Sequence, residues 1–276
     1  MVRLDFNSLS SQALKLDLYW TSLGCTRIAP SDQKVGAATF HPEMLKLVVG
    51  STSCKLCYLQ PTYRPFDSSY GLSYSLQRYF QYQVVIKPFY GLVAQVYLNS
   101  LRCLGYTPSV FKLVLKESNW ESSSLCAWGT GWECLLNSLE VSQITIFKQI
   151  CGLRCGVPVL EIAYGLERLG CVLTSSRFQA SASELGFNWC SLNFPCGRKM
   201  FFLFSVLEQQ LFAMCSTFFW GVFYPSYDVF LCLVNVYNQL VASPILKRSV
   251  LRLFLIRLQR MVKLVALALS LGIERA

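Results

Sequence analysis

Two short runs, Gln81 to Ile86 (QYQVVI) and Val141 to Phe147 (VSQITIF), crowd β-branched and aromatic residues together and yet carry glutamines inside them. They read as core strands with embedded polar side chains. At a period of two residues, Gln81 and Gln83 flank Tyr82 on one strand face. Glu140 and Gln143 lie around the second run, while Glu161 and the pair Glu167 and Arg168 bracket an apolar segment that contains a glycine. Buried polar groups need partners, and the plain account is that these satisfy each other. Converging with Arg64, they would instead line a pocket for a charged ligand.

The rest of the composition bounds the class. The chain has 276 residues, 53% hydrophobic and 14% charged, which excludes low-complexity disorder because there is ample apolar surface to bury. Its mean hydropathy of +0.40 makes a membrane reading necessary to test. The excess of 25 basic over 15 acidic residues, a net +10, favours an anionic partner without choosing one. Thirteen cysteines are an odd number, and no basic region followed by an apolar run opens the chain. The expectation is a reduced, cytoplasmic protein whose cysteines serve as small apolar side chains.

Helical spacing appears from Leu9 to Trp20 and again from Gly91 to Leu104 before Gly105. Mixed with the strand runs, it predicts an α+β fold with an antiparallel sheet rather than regular βαβ alternation. The expected organisation is a core over residues 1–173, a linker over 174–199, where Ser, Asn and Cys abound without periodicity, and a C-terminal helical region over 200–276. Within that region, Lys247 to Lys263 forms a helix in which five of the six basic residues Lys247, Arg248, Arg252, Arg257, Arg260 and Lys263 oppose Val250, Leu251, Phe254, Leu258, Met261 and Val262. The uncharged stretches Gln209–Tyr227 and Val229–Leu246 are interrupted by Gln, Asn, Gly and Pro, so they predict a buried bundle rather than membrane spans.

Familiar catalytic motifs are scarce. Cys54/Cys57 and Cys151/Cys155 could supply four thiolates to zinc, but close pairs arise easily among so many cysteines, and no zinc is expected. The single histidine, His41, precedes Pro42 and reads as structural, leaving little support for a Ser-His-Asp or Cys-His mechanism. Neither a P-loop nor a strand-linked G-x-G-x-x-G is present.

An ordered series of strings carries a more specific signal. It runs through Tyr19-Trp20, Gly24-Cys25-Thr26, Val35 to Thr39, His41-Pro42, Leu59-Gln60-Pro61, Arg64-Pro65 and Asp67. It continues through Gln81 to Pro88, Asn119-Trp120-Glu121, Ala127-Trp128-Gly129, Gly131-Trp132-Glu133, Glu140 to Gln143 and Glu161 to Arg168. In this order the chain resembles the α subunit of the bacterial tetrameric glycyl-tRNA synthetase, a class II aminoacyl-tRNA synthetase, over positions 20 to 173, with weaker similarity near Pro225-Ser226-Tyr227.

The resemblance implies a class II antiparallel sheet that binds ATP and glycine, forms glycyl adenylate and charges tRNA(Gly). It implies that Arg64 holds the α-phosphate and that Arg168 stacks on adenine or meets the bent triphosphate. It places Gln81 and Gln83 against adenylate and amino acid, Glu161 on the glycine ammonium with Gln143 and position 163 beside it, and Trp120 as a pocket wall. Mg2+ on the phosphates, with Glu140 as its ligand directly or through water, is implied too, as are a β subunit and an α homodimer within an α2β2 tetramer. The chain departs from the family at Ala29, Lys34, Ala38 and Tyr63, in the loop Gly71–Ser75, and at Ala163, where a threonine is usual. Two other readings stay open: a synthetase-like core that binds RNA or a subunit without catalysis, and a membrane-associated protein.

Overall fold

The structure is a computed structural model that describes residues 9–50, 52–64, 76, 78–174, 197–216, 223–242 and 246–273. Helix α1 (Leu9–Ser22) leads into a two-residue strand β1 (Thr26–Arg27), a 3₁₀ turn (Ala38–Phe40) and helix α2 (Pro42–Val49). Strands β2 (Cys54–Tyr63) and β3 (Arg78–Lys87) precede α3 (Val93–Cys103). A four-strand meander follows: β4 (Leu113–Ser122), β5 (Ala127–Leu136), β6 (Leu139–Ile150) and β7 (Leu153–Gly165). Helix α4 (Leu166–Thr174) continues directly from β7, and α5 (Gly197–Ser216), α6 (Phe223–Ala242) and α7 (Arg248–Ile273) complete the described chain.

The seven strands form one sheet in the order β1-β2-β3-β7-β6-β5-β4. All neighbours run antiparallel except β1, which lies parallel to β2. The turns β5–β6 and β6–β7 each hold two residues at positive φ, Asn137 with Ser138 and Cys151 with Gly152, a backbone that matches the twist of the paired strands. These tight turns fix the register, and the register decides which side chains share a face.

Each face has its own cover. Tyr82, Val84, Ile144, Ile162 and Tyr164 point to one side and pack beneath α1, α3 and α4 with Leu16, Trp20, Tyr97 and Leu169. On the other side Tyr58, Val85, Phe147 and Val159 pack with Met44 of α2 and with Phe204, Phe230, Phe254 and Leu258 of the last three helices. Among the described residues, the second cover packs over the β6–β7 turn end of the sheet. Toward the end where β3 begins and β7 finishes, that face carries the polar residues instead.

The expected α+β sheet with flanking helices and a helical C-terminal region is what the chain forms. The helix expected from Lys247 to Lys263 runs on to Ile273. Of the expected linker, residues 175–196 lie outside the described residues, while Thr174 closes α4 and Gly197 opens α5. No helix among the described residues is long and apolar enough to cross a membrane. Cys54 and Cys57 sit three apart on β2, so the strand's two-residue period sends them to opposite faces rather than to one metal.

Candidate active site

The polar face is built on strand β3. Tyr79, Gln81 and Gln83 all point to it, spaced about 6.6 Å apart by the rise of the strand. Each of the three marks one neighbourhood of the site.

At Tyr79 stands Arg64, just past the end of β2. Its Nε donates to the Gly36 carbonyl oxygen at 2.8 Å, and its guanidinium lies 5.4 Å from the Tyr79 ring centroid. The guanidinium is thereby braced on two sides while its remaining donors are uncommitted within those contacts.

At Gln81 two segments meet. Its Oε1 accepts from the Ala38 backbone N–H at 2.9 Å, and across the ladder it pairs with Gly165 of β7. A side chain on Gly165 would meet Arg168, whose Cβ and Cδ lie 3.9 Å from where a Cβ would stand. Arg168 belongs to the first turn of α4 and reaches Glu140 on β6, Nη1 donating at 3.0 Å to both its backbone oxygen and its Oε2.

At Gln83 lies the buried carboxyl. Glu161 on β7 is 2% exposed, and its Oε1 accepts from Gln83 Nε2 and, at 2.8 Å, from Thr39 Oγ1 of the 3₁₀ turn. Burial pushes this carboxyl up to about 8, against the opposing pull of the two hydrogen bonds. It is held in place by neutral donors, with no cation among those described contacts. The buried hydroxyl of Thr145, directly opposite Glu161 on β6, and the Gln83 Oε1 have no hydrogen-bond partner among the described residues.

A cross-strand row Tyr58, Gln83, Ala163, Gln143, Glu133 runs over this end of the sheet. Ala163 stands between the two glutamines of this row and is itself buried. In the next row Gly131 follows Thr145, and a Cβ there would drive into the Ile144 carbonyl. Only glycine fits that approach of two strands.

The structure thus brings Arg64, Gln81, Gln83, Glu161 and Arg168 onto one face, the Tyr79-to-Gln83 stretch that links them spanning about 13 Å. Gln143 and Ala163 share the row of Gln83. Trp120 stands apart on edge strand β4, three strands from Glu161, with its ring edge-on to Phe147 at 5.6 Å. Thr39, Thr145 and Gly131 were not singled out for this site from sequence. Thr39 and Gly131 fall inside the quoted strings, which is the one signal that pointed near them.

His41 sits behind the 3₁₀ turn and holds it. Its Nε2 lies 2.9 Å from the Ala29 carbonyl oxygen, and its Nδ1 accepts from the Glu43 N–H at 3.1 Å as the N-cap of α2. The far end of α2 is tied to β3 itself, because Lys87 is buried and its ammonium donates to the carbonyls of Leu47, Val48 and Gly50. These anchors fix the segment that delivers Ala38 and Thr39 to the site.

An antiparallel sheet sealed by helices on one face, with arginines, glutamines and a carboxyl on the polar part of the other, is the class II synthetase architecture that the resemblance implies. A family model described as Glycyl-tRNA synthetase alpha subunit matches residues 9–270, and the chain belongs to that family. The match takes in the C-terminal helices, beyond the quoted strings. The chain is therefore an aminoacyl-tRNA ligase that uses ATP. Among solved structures it is similar to Desulfitobacterium hafniense PylSc, a pyrrolysyl tRNA synthetase, at 13% identity and a TM-score of 0.43, over 62% of this chain and 68% of that one.

Proposed function

We propose that the chain activates glycine as glycyl adenylate and transfers it to tRNA(Gly), as the catalytic α subunit of a cytoplasmic synthetase completed by a β subunit. The observation that carries this reading is the buried Glu161 carboxyl, held by Gln83 and Thr39 on the face that also bears Arg64 and Arg168. Residues 1–173 form the catalytic core in this account, and residues 200–276 a helical appendage joined by the linker 174–199.

Adenylate formation needs no enzyme nucleophile. The glycine carboxylate attacks the α-phosphate and pyrophosphate leaves, so the protein contributes positioning and charge neutralisation. Arg64, braced by Gly36 and Tyr79, meets the charge gathering on the α-phosphate. Arg168 covers the adenine or the folded triphosphate, where a planar guanidinium both stacks and donates. Gln81 and Gln83 face the adenylate. The Glu161 carboxyl, neutral when the site is empty, gives up its proton as the glycine ammonium arrives, and the new ion pair orients the substrate carboxylate. Gln143 and Ala163 border that pocket, and Trp120 closes the far end of the same face through Phe147. Selection of glycine is then exclusion, because a larger side chain has no room above this row.

Glu140 is a half-exposed carboxylate beside Arg168, and one such group fits a magnesium ion that takes its other ligands from phosphates and water. Bound there, Mg2+ would neutralise charge on the triphosphate. Two α chains paired within an α2β2 tetramer complete the proposal.

Glycine-dependent exchange of labelled pyrophosphate into ATP, measured on the α chain assembled with its β subunit, tests this reading. Exchange that requires glycine supports it; an assembled complex that shows none points to the non-catalytic binding alternative.

A further inference from the structure

Helix α7 has an exposed edge that the packing of the bundle leaves unexplained. Arg248, Arg252, Arg260 and Lys263 are all exposed, and the helix carries no acidic residue along its length. Three of the four, with Gln259 between them, fall within about 60° around the axis and extend for about 22 Å. Arg257 does not belong to this edge. It is turned toward α5, where it pairs with Glu208 and lies over the Phe204 and Phe254 rings.

The edge is fixed against the turn end of the sheet. Gln259 Nε2 donates to the Ser123 carbonyl oxygen at 2.9 Å, beside the β4–β5 turn. The Lys263 Cδ lies 3.5 Å from where a Gly152 Cβ would stand, in the β6–β7 turn. Exposed Lys148 and Arg154 flank that same turn and extend the positive surface onto the hairpin. The position of Arg248 is informative in itself. A cation in the first residue of a helix opposes the helix dipole, so this side chain does not serve the stability of α7.

We propose that the edge of α7 formed by Arg248, Arg252, Arg260 and Lys263 is a docking ridge for the phosphate backbone of tRNA. The inference rests on tRNA as the substrate of the site above and assigns it a surface outside the catalytic face. A row of guanidinium and ammonium groups that form no ion pair among the described residues, on a rigid helix, matches a polyanion, and release of condensed counterions supplies the affinity. Three exposed apolar residues of the helix, Leu253, Ile256 and Leu267, fall around Arg260 at one side of this edge.

The test uses the α chain assembled with its β subunit, with a tRNA(Gly) transcript as probe. The triple variant Arg252→Gln, Arg260→Gln, Lys263→Gln is expected to bind tRNA at least about tenfold more weakly, and the slope of log affinity on log salt should shrink by about 2. Glycine-dependent pyrophosphate exchange should be unchanged, because it needs no tRNA. Arg248→Glu provides a second arm, since it favours the helix dipole and should weaken tRNA binding without lowering the melting temperature. Unaltered affinity and salt slope in both variants overturn the proposal. Loss of β-subunit association from the triple variant on size exclusion also overturns it, making the ridge a protein interface. Failure of exchange in the unsubstituted complex would reject glycine activation instead, and the binding result would still stand or fall by itself.

Discussion

The Arg168 guanidinium reaches from the first turn of α4 to Glu140 on β6, Nη1 donating at 3.0 Å to both the backbone oxygen and the carboxylate of that residue. Glu140 therefore orients the arginine proposed for the nucleotide, besides being the carboxylate proposed for magnesium. A half-exposed pair of this kind contributes about 1 kcal/mol or less, so Glu140→Ala is expected to raise the KM for ATP by up to about fivefold. Glu140→Gln, which can still accept from Arg168, should restore that KM yet need more Mg2+ for half-maximal exchange. A magnesium requirement unchanged by the glutamine would leave Glu140 with the orienting role alone.

Glu161→Gln tests the proposed amino-acid pocket. Losing a hydrogen bond to a charged partner costs about 1.5–3 kcal/mol, which corresponds to an increase of roughly 10- to 150-fold in the KM for glycine. The KM for ATP should move little. Steady-state exchange kinetics with each substrate varied in turn would separate the two.

In its proposed role the same carboxyl would make glycine binding pH-dependent. Burial raises it to about 8, so it is largely protonated at neutral pH and must ionise to receive an ammonium. The KM for glycine should fall as pH rises toward about 8, and Glu161→Gln should flatten that limb. Below this pH, calorimetry in buffers of different ionisation enthalpy should detect proton release on binding. Because the folded value is raised, the native state binds the proton more tightly than the unfolded chain. Glu161's contribution to stability is therefore fully present below the ordinary carboxylate range and is lost as pH rises through about 8.

His41 carries the opposite sign. Burial lowers its pKa, and its contacts to Ala29 and Glu43 together require the neutral ring with the proton on Nε2. Its contribution to stability is present above the unfolded histidine value and is lost as pH falls through the lower folded one. Thermal unfolding of His41→Ala should show a loss of about 1 kcal/mol near neutral pH, typical of a missing N-cap, and a weaker acid-side decline than the parent. An identical acid limb in both proteins would remove His41 from this account.

Gly131→Ala probes the sheet beneath the pocket. The added methyl would collide with the Ile144 carbonyl, a backbone atom that can yield only if β5 and β6 separate. A cost of about 1–3 kcal/mol is expected, seen as a drop of several degrees in the melting temperature.

How much of this was legible in the sequence depended on how local each feature is. Strands β3 and β6 were visible because β-branched and aromatic residues are dense in them, and α1, α3 and α7 because their apolar residues recur at helical spacing. Edge strand β4 was not read as a strand, since its sequence LVLKESNWES mixes charged and polar residues along a half-exposed element. Long-range partners left no local trace. Thr39 and Glu161 meet across 122 positions, and nothing around either residue announces the other. Arg257 belonged to the basic stripe by spacing, but Glu208, 49 positions away, takes it into the interface with α5. Lys87 looks like a charged residue at a strand end, whereas the open carbonyls of α2 draw its ammonium inside. The roles of Arg64 and Arg168 came from the resemblance to a family, because neither residue has a local pattern that assigns it to phosphate.

The central claim is that one face of the sheet holds a glycyl adenylate between Arg64, Arg168 and Glu161. Isothermal titration of the assembled α and β chains with a non-hydrolysable glycyl adenylate analogue tests it most directly. Saturable binding at one site per α chain, displaced by ATP and greatly weakened by Arg64→Ala and by Glu161→Gln, is the predicted result. Absence of saturable binding, or binding that neither substitution alters, would contradict the account.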